Sequence, residues 1–355
     1  MIKTTMPTIG IDLGDKHSHF HLLEAHSDET ERRGKIRTTS KAFGKLLGSL
    51  PRCRVVLEAC THSAWVGRLV EEAGHELIVS NPRKVALIYK DSRKSDPRDA
   101  ETLARLGRAD PKLLWPVRLR RLETRRALSL LKCRDALVRT RTILVNSIRS
   151  QAKTMGQRIG SGSTKNFEKK AREDLPEELL DMFGPVLDLL EETSRKIRSY
   201  EKRIEELGRK EYPEIALLQQ VNGVGPITAT AFRLIIEDAS YFDKSRDVSA
   251  YIGLVPRRDQ SGNCDKQLGI SKEGDAFLRR LLVQAAQYIL GPFGADSDLR
   301  RWGLGLVERG GSAAKKRAVV AVARKLAVLL HALWKSGEVY EPLRNSSREE
   351  VTGAA

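Results

Sequence analysis

The sequence has few cysteines and few aromatic residues, and it has no long apolar run. Its four cysteines, Cys53, Cys60, Cys133 and Cys264, form no CxxC pair, so we expect reduced thiols and no structural zinc. No apolar stretch approaches the roughly 20 residues that cross a bilayer. The first residues, MIKTTMPTIG, lack the apolar core of a secretion signal. These absences predict a cytoplasmic protein with no membrane partner.

Acidic residues are outnumbered by basic ones. The 355 residues include 63 Lys and Arg against 46 Asp and Glu, which gives a formal net charge of +17. A surplus of this size favours a polyanionic partner, and nucleic acid is the first candidate. The hydrophobic content of 40% is enough for two or more domains with their own cores.

Four carboxylates stand out in the first hundred residues. Asp12 ends the apolar strand IGID, Glu58 ends RVVLE, and Asp96 and Asp99 lie in SDPRDAETLARL. Each has a simpler explanation, because strand ends are often exposed, Asp96 can act as a helix N-cap, and Asp99 suits the first turn. Their joint occurrence on a basic chain instead favours a site for Mg²⁺ or Mn²⁺, since these ions prefer oxygen ligands.

Residues 1–115 alternate strand and helix signals. PTIGIDLG and HSHFHLLE predict a hairpin, and RVVLEA and HELIVSN predict further strands separated by a helix. A mixed sheet flanked by helices is therefore expected. His17, His19 and His21 alternate along one strand, and without partners at ligand spacing they are interpreted as structural.

Residues 116–212 predict a helical arm. One long helix covers 118–158 and carries twelve Lys and Arg against two acids, and a second runs from about Pro185 to Glu211. A flexible joint is expected near 156–172, where Gly, Ser and Lys are frequent. The two helices could form an antiparallel coiled coil. The basic side chains either form a solvated face or contact nucleic acid, and the candidates for contact are Arg125, Arg126, Arg139 and Arg141.

Residues 213–345 predict a mostly helical domain, followed by a disordered tail at 346–355. LLQQVNGVGPITATAF has the spacing of a helix-hairpin-helix element, in which Gly223 and Gly225 allow a tight turn whose amides can bind phosphate. A plain connection between two helices explains the turn equally well. The segment after it reads as a loop-rich basic stretch, then a helix, and last a basic amphipathic helix.

These motifs together resemble the DEDD transposases of the insertion-sequence family described as bridge-RNA-guided recombinases, which are related to pilin-gene inversion enzymes. The resemblance rests on IGIDLGDKHSHF, VVLEAC and SDPRDAETLARL, and farther along on GVGPITATAF and YIGLVPRRDQSGN…LGISKEGDAFLRRLLVQAA. It implies a RuvC-like domain of RNase H fold in which Asp12, Glu58, Asp96 and Asp99 bind the metal. One departure is Ser95, which stands where the family often has Thr or Val.

The resemblance also implies a serine nucleophile in the C-terminal transposase domain. The matching residue is Ser261, in RRDQSGN, which composition alone would make a turn residue. Arg257, Arg258 and Lys266 would surround it with positive charge suited to a phosphoryl transition state, and Lys272 is a further candidate for nucleic-acid contact.

The function expected from this resemblance is RNA-guided recombination of donor and target DNA through a phosphoserine intermediate. Its partners would be DNA and a structured bridge RNA, and the protein would form a dimer that assembles into a tetramer. One alternative is a Holliday-junction-type endonuclease that hydrolyses DNA with the same acids. Another is a non-catalytic nucleic-acid-binding protein whose acids are helix caps.

Overall fold

The computed structural model describes residues 6–25, 31–88, 95–261 and 264–345, and the expected tail at 346–355 lies outside them. The chain divides into two compact units, Met1–Arg121 and Leu122–Ala355. In the described ranges, no helix is long and apolar enough to cross a membrane.

In its described residues, the first unit combines five strands with four helices. The strands are β1 (Thr8–Asp12), β2 (His17–Leu23), β3 (Glu31–Arg37), β4 (Arg54–Glu58) and β5 (Glu76–Ser80). The helices are α1 (Ser40–Gly48), α2 (Ser63–Glu72), α3 (Pro82–Ile88) and α4 (Asp96–Ala109), and a 3₁₀ turn follows at Pro111–Leu114. The expected mixed α/β architecture is confirmed.

The strands form one mixed sheet in the order β3-β2-β1-β4-β5. The hairpin of β1 and β2 is antiparallel, with Ile11 opposite Phe20, and β3 continues it antiparallel. In contrast, β4 runs parallel to both β1 and β5. The carboxyl ends of β1 and β4 therefore meet at the same edge of the sheet.

Alternation along the strands produces two cores, one on each face of the sheet. Ile9 and Ile11 of β1 pack with α1 and α2. Val56 of β4 lies on the other face and packs with Leu103 of α4. Because successive side chains point to opposite faces, Gly10 and Asp12 lie on the face that α4 covers.

The second unit is mostly helical. Its first part contains α5 (Leu122–Thr154), α6 (Phe167–Asp174) and α7 (Glu177–Glu211). Its remainder contains α8 (Glu214–Leu218), α9 (Pro226–Ile236), α10 (Ser245–Tyr251), α11 (Ala276–Leu290), α12 (Asp298–Glu308) and α13 (Ala314–Ser336), with strands β6 (Pro256–Ser261) and β7 (Cys264–Ile270) between α10 and α11.

The long helices α5 and α7 pack side by side along the arm. At one end Val145 and Ile148 of α5 pack against Phe183 and Leu187 of α7, and Phe167 of α6 joins this cluster. Helix α6 thus begins inside the segment, 156–172, that composition suggests as a joint. Helix α7 begins at Glu177, eight residues before the expected start at Pro185. The proline is inside the helix, because buried side chains on both sides of it hold that turn in place.

The largest core joins α9, α11 and α13 to the base of the arm. Between α10 and α11, where the sequence predicts loops, β6 and β7 pair as an antiparallel hairpin. The expectation of loops is wrong there, because backbone pairing forms this hairpin without the alternating apolar pattern that marks a strand packed on a core.

Candidate active site

Two of the four predicted carboxylates lie at neighbouring strand ends. Asp12 is the last residue of β1 and Glu58 the last of β4, and the register pairs Ile11 with Leu57 immediately before them. Glu58 shares its face with Val56, as Asp12 does with Gly10. Both carboxylates therefore lie on the face of the sheet that α4 covers.

Helix α4 brings the other two carboxylates to the same place. It crosses β1 so closely that a Cβ added at Gly10 would overlap the carbonyl oxygen of Ala100 and the amide nitrogen of Ala104. A Cβ at Gly107 would likewise overlap the side chain of Val56 on β4. Two glycines thus let the helix backbone lie directly on the sheet, and its first turn carries Asp96 and Asp99.

The start of α4 differs by one residue from the sequence prediction. Ser95, in an extended conformation, is the N-cap, and its carbonyl accepts hydrogen bonds from the amides of Arg98 and Asp99. Asp96 is the first helical residue and is not the cap. Asp96 and Asp99 both lie in the first turn, where the helix dipole favours negative charge.

The pKa of Asp12 responds to burial and to the other three acids. Burial, followed by the negative charges of Asp99, Asp96 and Glu58, raises the pKa of Asp12 from 3.8 to about 6, while His19 opposes the shift. Like charges that repel one another in a partly buried site favour binding of a cation.

Histidine side chains contact the same edge. His19 lies opposite Asp12 on β2, and its Nδ1 is 3.5 Å from Oδ2 of Asp96. Nearby, Nε2 of His62 is 3.7 Å from Oδ1 of Asp15. The sequence does not predict the contact with Asp96, which follows from the place of His19 opposite Asp12 in the hairpin.

The carboxylates are close, but they are not assembled as ligands. Among the described residues, no group of three or more His, Cys, Asp and Glu side chains is arranged to hold a metal ion. Their chemistry nevertheless fits a hard divalent cation, because the set consists of oxygen donors whose mutual repulsion such a charge would relieve.

Ser261 ends strand β6, opposite Cys264 on β7, so it lies at the tip of the hairpin. In the same hairpin Arg258 is opposite Gln267, and Lys266 is opposite Asp259. The side chains of Arg257, Arg258 and Lys266 are exposed. Three of the basic residues that are predicted to contact nucleic acid therefore lie in the same hairpin as Ser261.

The base of this hairpin is fixed by close backbone packing next to Lys272. The amide of Lys272, which has a φ of 57°, donates to the carbonyl of Gly253, and Arg279 donates to the carbonyls of Ile252 and Glu273. A Cβ at Gly253 would overlap the Glu273 backbone. The Lys272 side chain is exposed beside this junction.

The predicted hairpin between helices is a tight glycine turn that connects α8 and α9. Gly223 adopts a φ of +87°, and Gly225 is the N-cap of α9, with no side-chain cap. The turn packs on α11, since a Cβ at Gly223 would lie 3.1 Å from the carbonyl oxygen of Ala285. This geometry accounts for Gly223 structurally and leaves phosphate binding by the turn as a prediction.

The four predicted arginines of the arm occupy different environments. Arg126 and Arg139 are exposed, and Nε of Arg139 lies 3.2 Å from Oδ2 of Asp135. Arg125 is half-buried. Arg141 is only 6% exposed and lies against Ser194 of α7, and burial lowers its pKa. Arg141 therefore belongs to the interface between the two arm helices.

Comparison with known proteins identifies the family of this chain. The DEDD transposase model of the IS110 type, described as "Transposase", matches residues 9–194, and the model described as "Transposase IS116/IS110/IS902 family" matches residues 215–297. Both models describe transposases, a class of enzyme that acts on DNA. The chain belongs to the IS110 family of DEDD transposases, and it is accordingly an enzyme that acts on DNA.

Curated relatives support this assignment over most of the chain. It is 30% identical to a probable family 20 transposase of Pseudomonas aeruginosa, covering 94% of this chain and 98% of the relative. It is 31% identical to the transposase for insertion sequence element IS1111A of Coxiella burnetii, covering 81% and 79%. A shorter stretch, 36% of this chain and 38% of the relative, is 28% identical to the pilin gene-inverting protein of Moraxella lacunata.

Proposed function

We propose that this transposase is an RNA-guided DNA recombinase that cleaves and rejoins the donor and target strands of a mobile element. The observation that carries the proposal is the grouping of Asp12, Glu58, Asp96 and Asp99 on the α4 face of the first sheet, where burial and the charges of the other three acids raise the pKa of Asp12 to about 6. The strand order β3-β2-β1-β4-β5 supports a RuvC-like RNase H fold for this unit.

The four acids would hold Mg²⁺ or Mn²⁺. A bound divalent cation would supply charge neutralisation at the phosphate and its leaving oxygen. Since the described carboxylates are not arranged as ligands, at least some of them must move closer together when the ion binds. His19, which already contacts Asp96, would hold that carboxylate at the edge of the sheet.

The proposed nucleophile is Ser261. Its hydroxyl oxygen would form a bond to phosphorus while one P–O bond to a sugar breaks, and the departing sugar hydroxyl would gain the proton that the serine loses. A hydroxyl of the other strand would then attack the phosphoserine, break the serine–phosphorus ester and return the proton to Ser261. Each step exchanges one phosphate ester for another, so rejoining would need no ATP.

The exposed basic residues suit contacts with the nucleic-acid backbone. Arg257, Arg258, Lys266 and Lys272 lie on or beside the hairpin that carries Ser261, and Arg126 lies on the arm. Such contacts position a strand without reading its sequence. Sequence selection would then come from base pairing with a structured guide RNA.

The same acids would also serve a Holliday-junction-type endonuclease, which hydrolyses DNA without a covalent intermediate. Recombination is preferred because the chain carries both family domains and because a relative of part of it is named as a gene-inverting protein. A non-catalytic function is set aside, since the chain is a transposase.

The proposed assembly is a dimer that pairs into a tetramer, with the arm joining subunits. The experiment that tests RNA guidance is purification of the protein from its host with co-bound nucleic acid, followed by sequencing. One specific small RNA encoded beside the transposase gene is expected. Recovery of random cellular RNA, together with DNA rejoining by RNase-treated protein, would rule out RNA guidance.

A further inference from the structure

An apolar groove with a basic rim lies in the second unit. It has a volume of about 1670 Å³ and runs along α13, bordered by α12 and by the base of the β6–β7 hairpin. Its floor includes Val320, Val328 and Leu329 of α13, and Leu268 of β7 is 43% exposed at its side. Helix α13 thus has apolar residues on its core face and on this outer face, which is the pattern of a helix covered on both sides.

The rim of the groove is strongly positive. Seven Lys and Arg line the groove against two acids, Asp298 and Glu341. Two of the seven, Arg301 and Arg344, pair with carboxylates outside the groove. The other five are exposed, namely Arg246, Lys316, Arg317, Arg324 and Lys325. An occupant that matches this surface must combine apolar side chains with negative charge.

The arm of the same chain carries a surface of this kind. Residues 177–192, EELLDMFGPVLDLLEE, include six acids and no Lys or Arg. Six of its eight exposed residues follow one face of α7 at helical spacing, and acids and apolar groups are mixed along it. They are Glu178, Asp181, Met182, Pro185, Asp188 and Leu189, of which Asp188 pairs with Arg172 of α6. Met182 is 56% and Leu189 52% exposed, although both are apolar.

We propose that the groove of one subunit binds this acidic face of α7 from a second copy of the chain. The apolar floor would receive Met182 and Leu189, while the basic rim faces Glu178 and Asp181. A nucleic-acid strand would use the basic rim but would leave most of the apolar floor without a matching partner. The acidic helix uses both properties of the groove, which is why it is the favoured occupant.

The contact must form between two copies. Helix α7 meets the C-terminal helices near Gly208, whose position is close to Ile215 of α8 and Thr230 of α9. Leu189 lies about 28 Å away along the helix, at 1.5 Å per residue. If each arm occupies the groove of the other copy, the two equal contacts close a two-fold dimer. This inference deepens the proposed assembly and rests on it, but not on the serine chemistry.

Charge reversal on each side tests the contact. One variant carries Arg317→Glu and Arg324→Glu in the groove, a second carries Glu178→Lys and Asp181→Lys in the arm, and a third carries all four. Matched controls are Arg309→Glu and Glu205→Lys, which reverse exposed charges outside both surfaces. Self-association is measured by sedimentation of nuclease-treated protein without substrate, so failure of strand transfer cannot influence the result.

We expect each two-residue variant to self-associate at least tenfold more weakly than the parent, the four-residue variant to recover, and the controls to match the parent. Unchanged association in either two-residue variant would overturn the proposal. So would loss of RNA or DNA binding by the groove variant alone with association intact, because the groove would then bind nucleic acid.

A cross-linking experiment gives a second measurement that does not depend on charge reversal. Two differently tagged copies, one with Asp181→Cys and the other with Arg324→Cys, are mixed in a background where Cys60, Cys133 and Cys264 are Ser. A short thiol cross-linker should join these two cysteines and so link the two differently tagged chains. Cross-links that form only within one chain, or only to its first unit, would overturn the proposal.

Discussion

A Cβ on Gly10 would lie 2.2 Å from the carbonyl oxygen of Ala100, so strand β1 and helix α4 touch backbone to backbone. This close approach carries the two acids of the first α4 turn to the end of β1. The geometry of the carboxylate cluster therefore depends on a residue that has no side chain.

Gly10→Ala should lower the free energy of unfolding by about 1–3 kcal/mol or more, because added volume between packed backbones forces an element to move. Urea denaturation of the variant measures the change. The matched control is Gly44→Ala in α1, where an added Cβ meets nothing within 4 Å and should stabilise the helix by roughly 0.5–1 kcal/mol. Equal stability of the two variants would contradict the close packing of α4 on β1.

The raised pKa of Asp12 predicts how the stability of the metal-free protein depends on pH. The folded protein holds the Asp12 proton more tightly than the unfolded chain, with a pKa of about 6 against 3.8. The stabilising effect of this proton is complete below pH 3.8 and is lost as the pH rises through about 6. At neutral pH, charged Asp12 therefore destabilises the fold in the absence of a cation.

Asp12→Asn should accordingly raise the free energy of unfolding at pH 7.5 in EDTA, by about 1–2 kcal/mol after allowance for screening by water. The gain should vanish near pH 4, and Mg²⁺ should stabilise the parent but not the variant. The control is Asp15→Asn, whose side chain is 89% exposed. Urea denaturation at pH 7.5 and pH 4 measures the free energy of unfolding of each protein. A difference between parent and variant that is the same at both pH values would contradict the raised pKa of Asp12. The same variant should lose DNA cleavage and retain DNA binding.

The sequence predicted those parts of the molecule in which local pattern and final structure agree. Apolar strands ending in Asp12 and Glu58 lie side by side, and the periodicity of α5 marks a real helix. The packing of α4 on β1 depends on contacts between residues about ninety positions apart in the chain. Sequence periodicity reports only on neighbouring residues, so it could not predict this packing. Its signal was Gly10 inside a strand, where a close backbone approach is a common reason for glycine.

Two differences from the sequence prediction have local causes. Strands β6 and β7 contain charged residues such as Arg257, Arg258 and Lys266, so they lack the alternation that identifies strands packed on a core. The sequence predicts that the second arm helix begins near Pro185, whereas α7 begins at Glu177. Burial of Phe183 and Leu187 beside Pro185 stabilises the continuous helix instead.

Ser261→Ala distinguishes covalent recombination from hydrolysis. If the serine is the nucleophile, the variant should give no strand transfer and no protein–DNA adduct on a denaturing gel with labelled DNA. A metal-dependent endonuclease would continue to cut. The control is Ser240→Ala, an exposed serine in a different turn, which should behave like the parent. Full recombination by Ser261→Ala protein would exclude the phosphoserine mechanism.

Alanine variants of Arg126 and Arg141 test whether the exposed face of the arm binds nucleic acid. Arg126 is exposed on α5, whereas Arg141 is buried against α7. If Arg126 contacts a phosphate, Arg126→Ala should reduce the slope of log binding constant against log salt concentration by about 1, because one fewer counterion is released.

Arg141→Ala should leave that slope unchanged and instead destabilise the packing of α5 on α7, since its side chain fills space between the helices. Binding isotherms at several salt concentrations and thermal denaturation separate the two effects. If the salt slope falls for Arg141→Ala and not for Arg126→Ala, the buried face of the arm must open when nucleic acid binds, and the phosphate contacts of the arm lie between its helices.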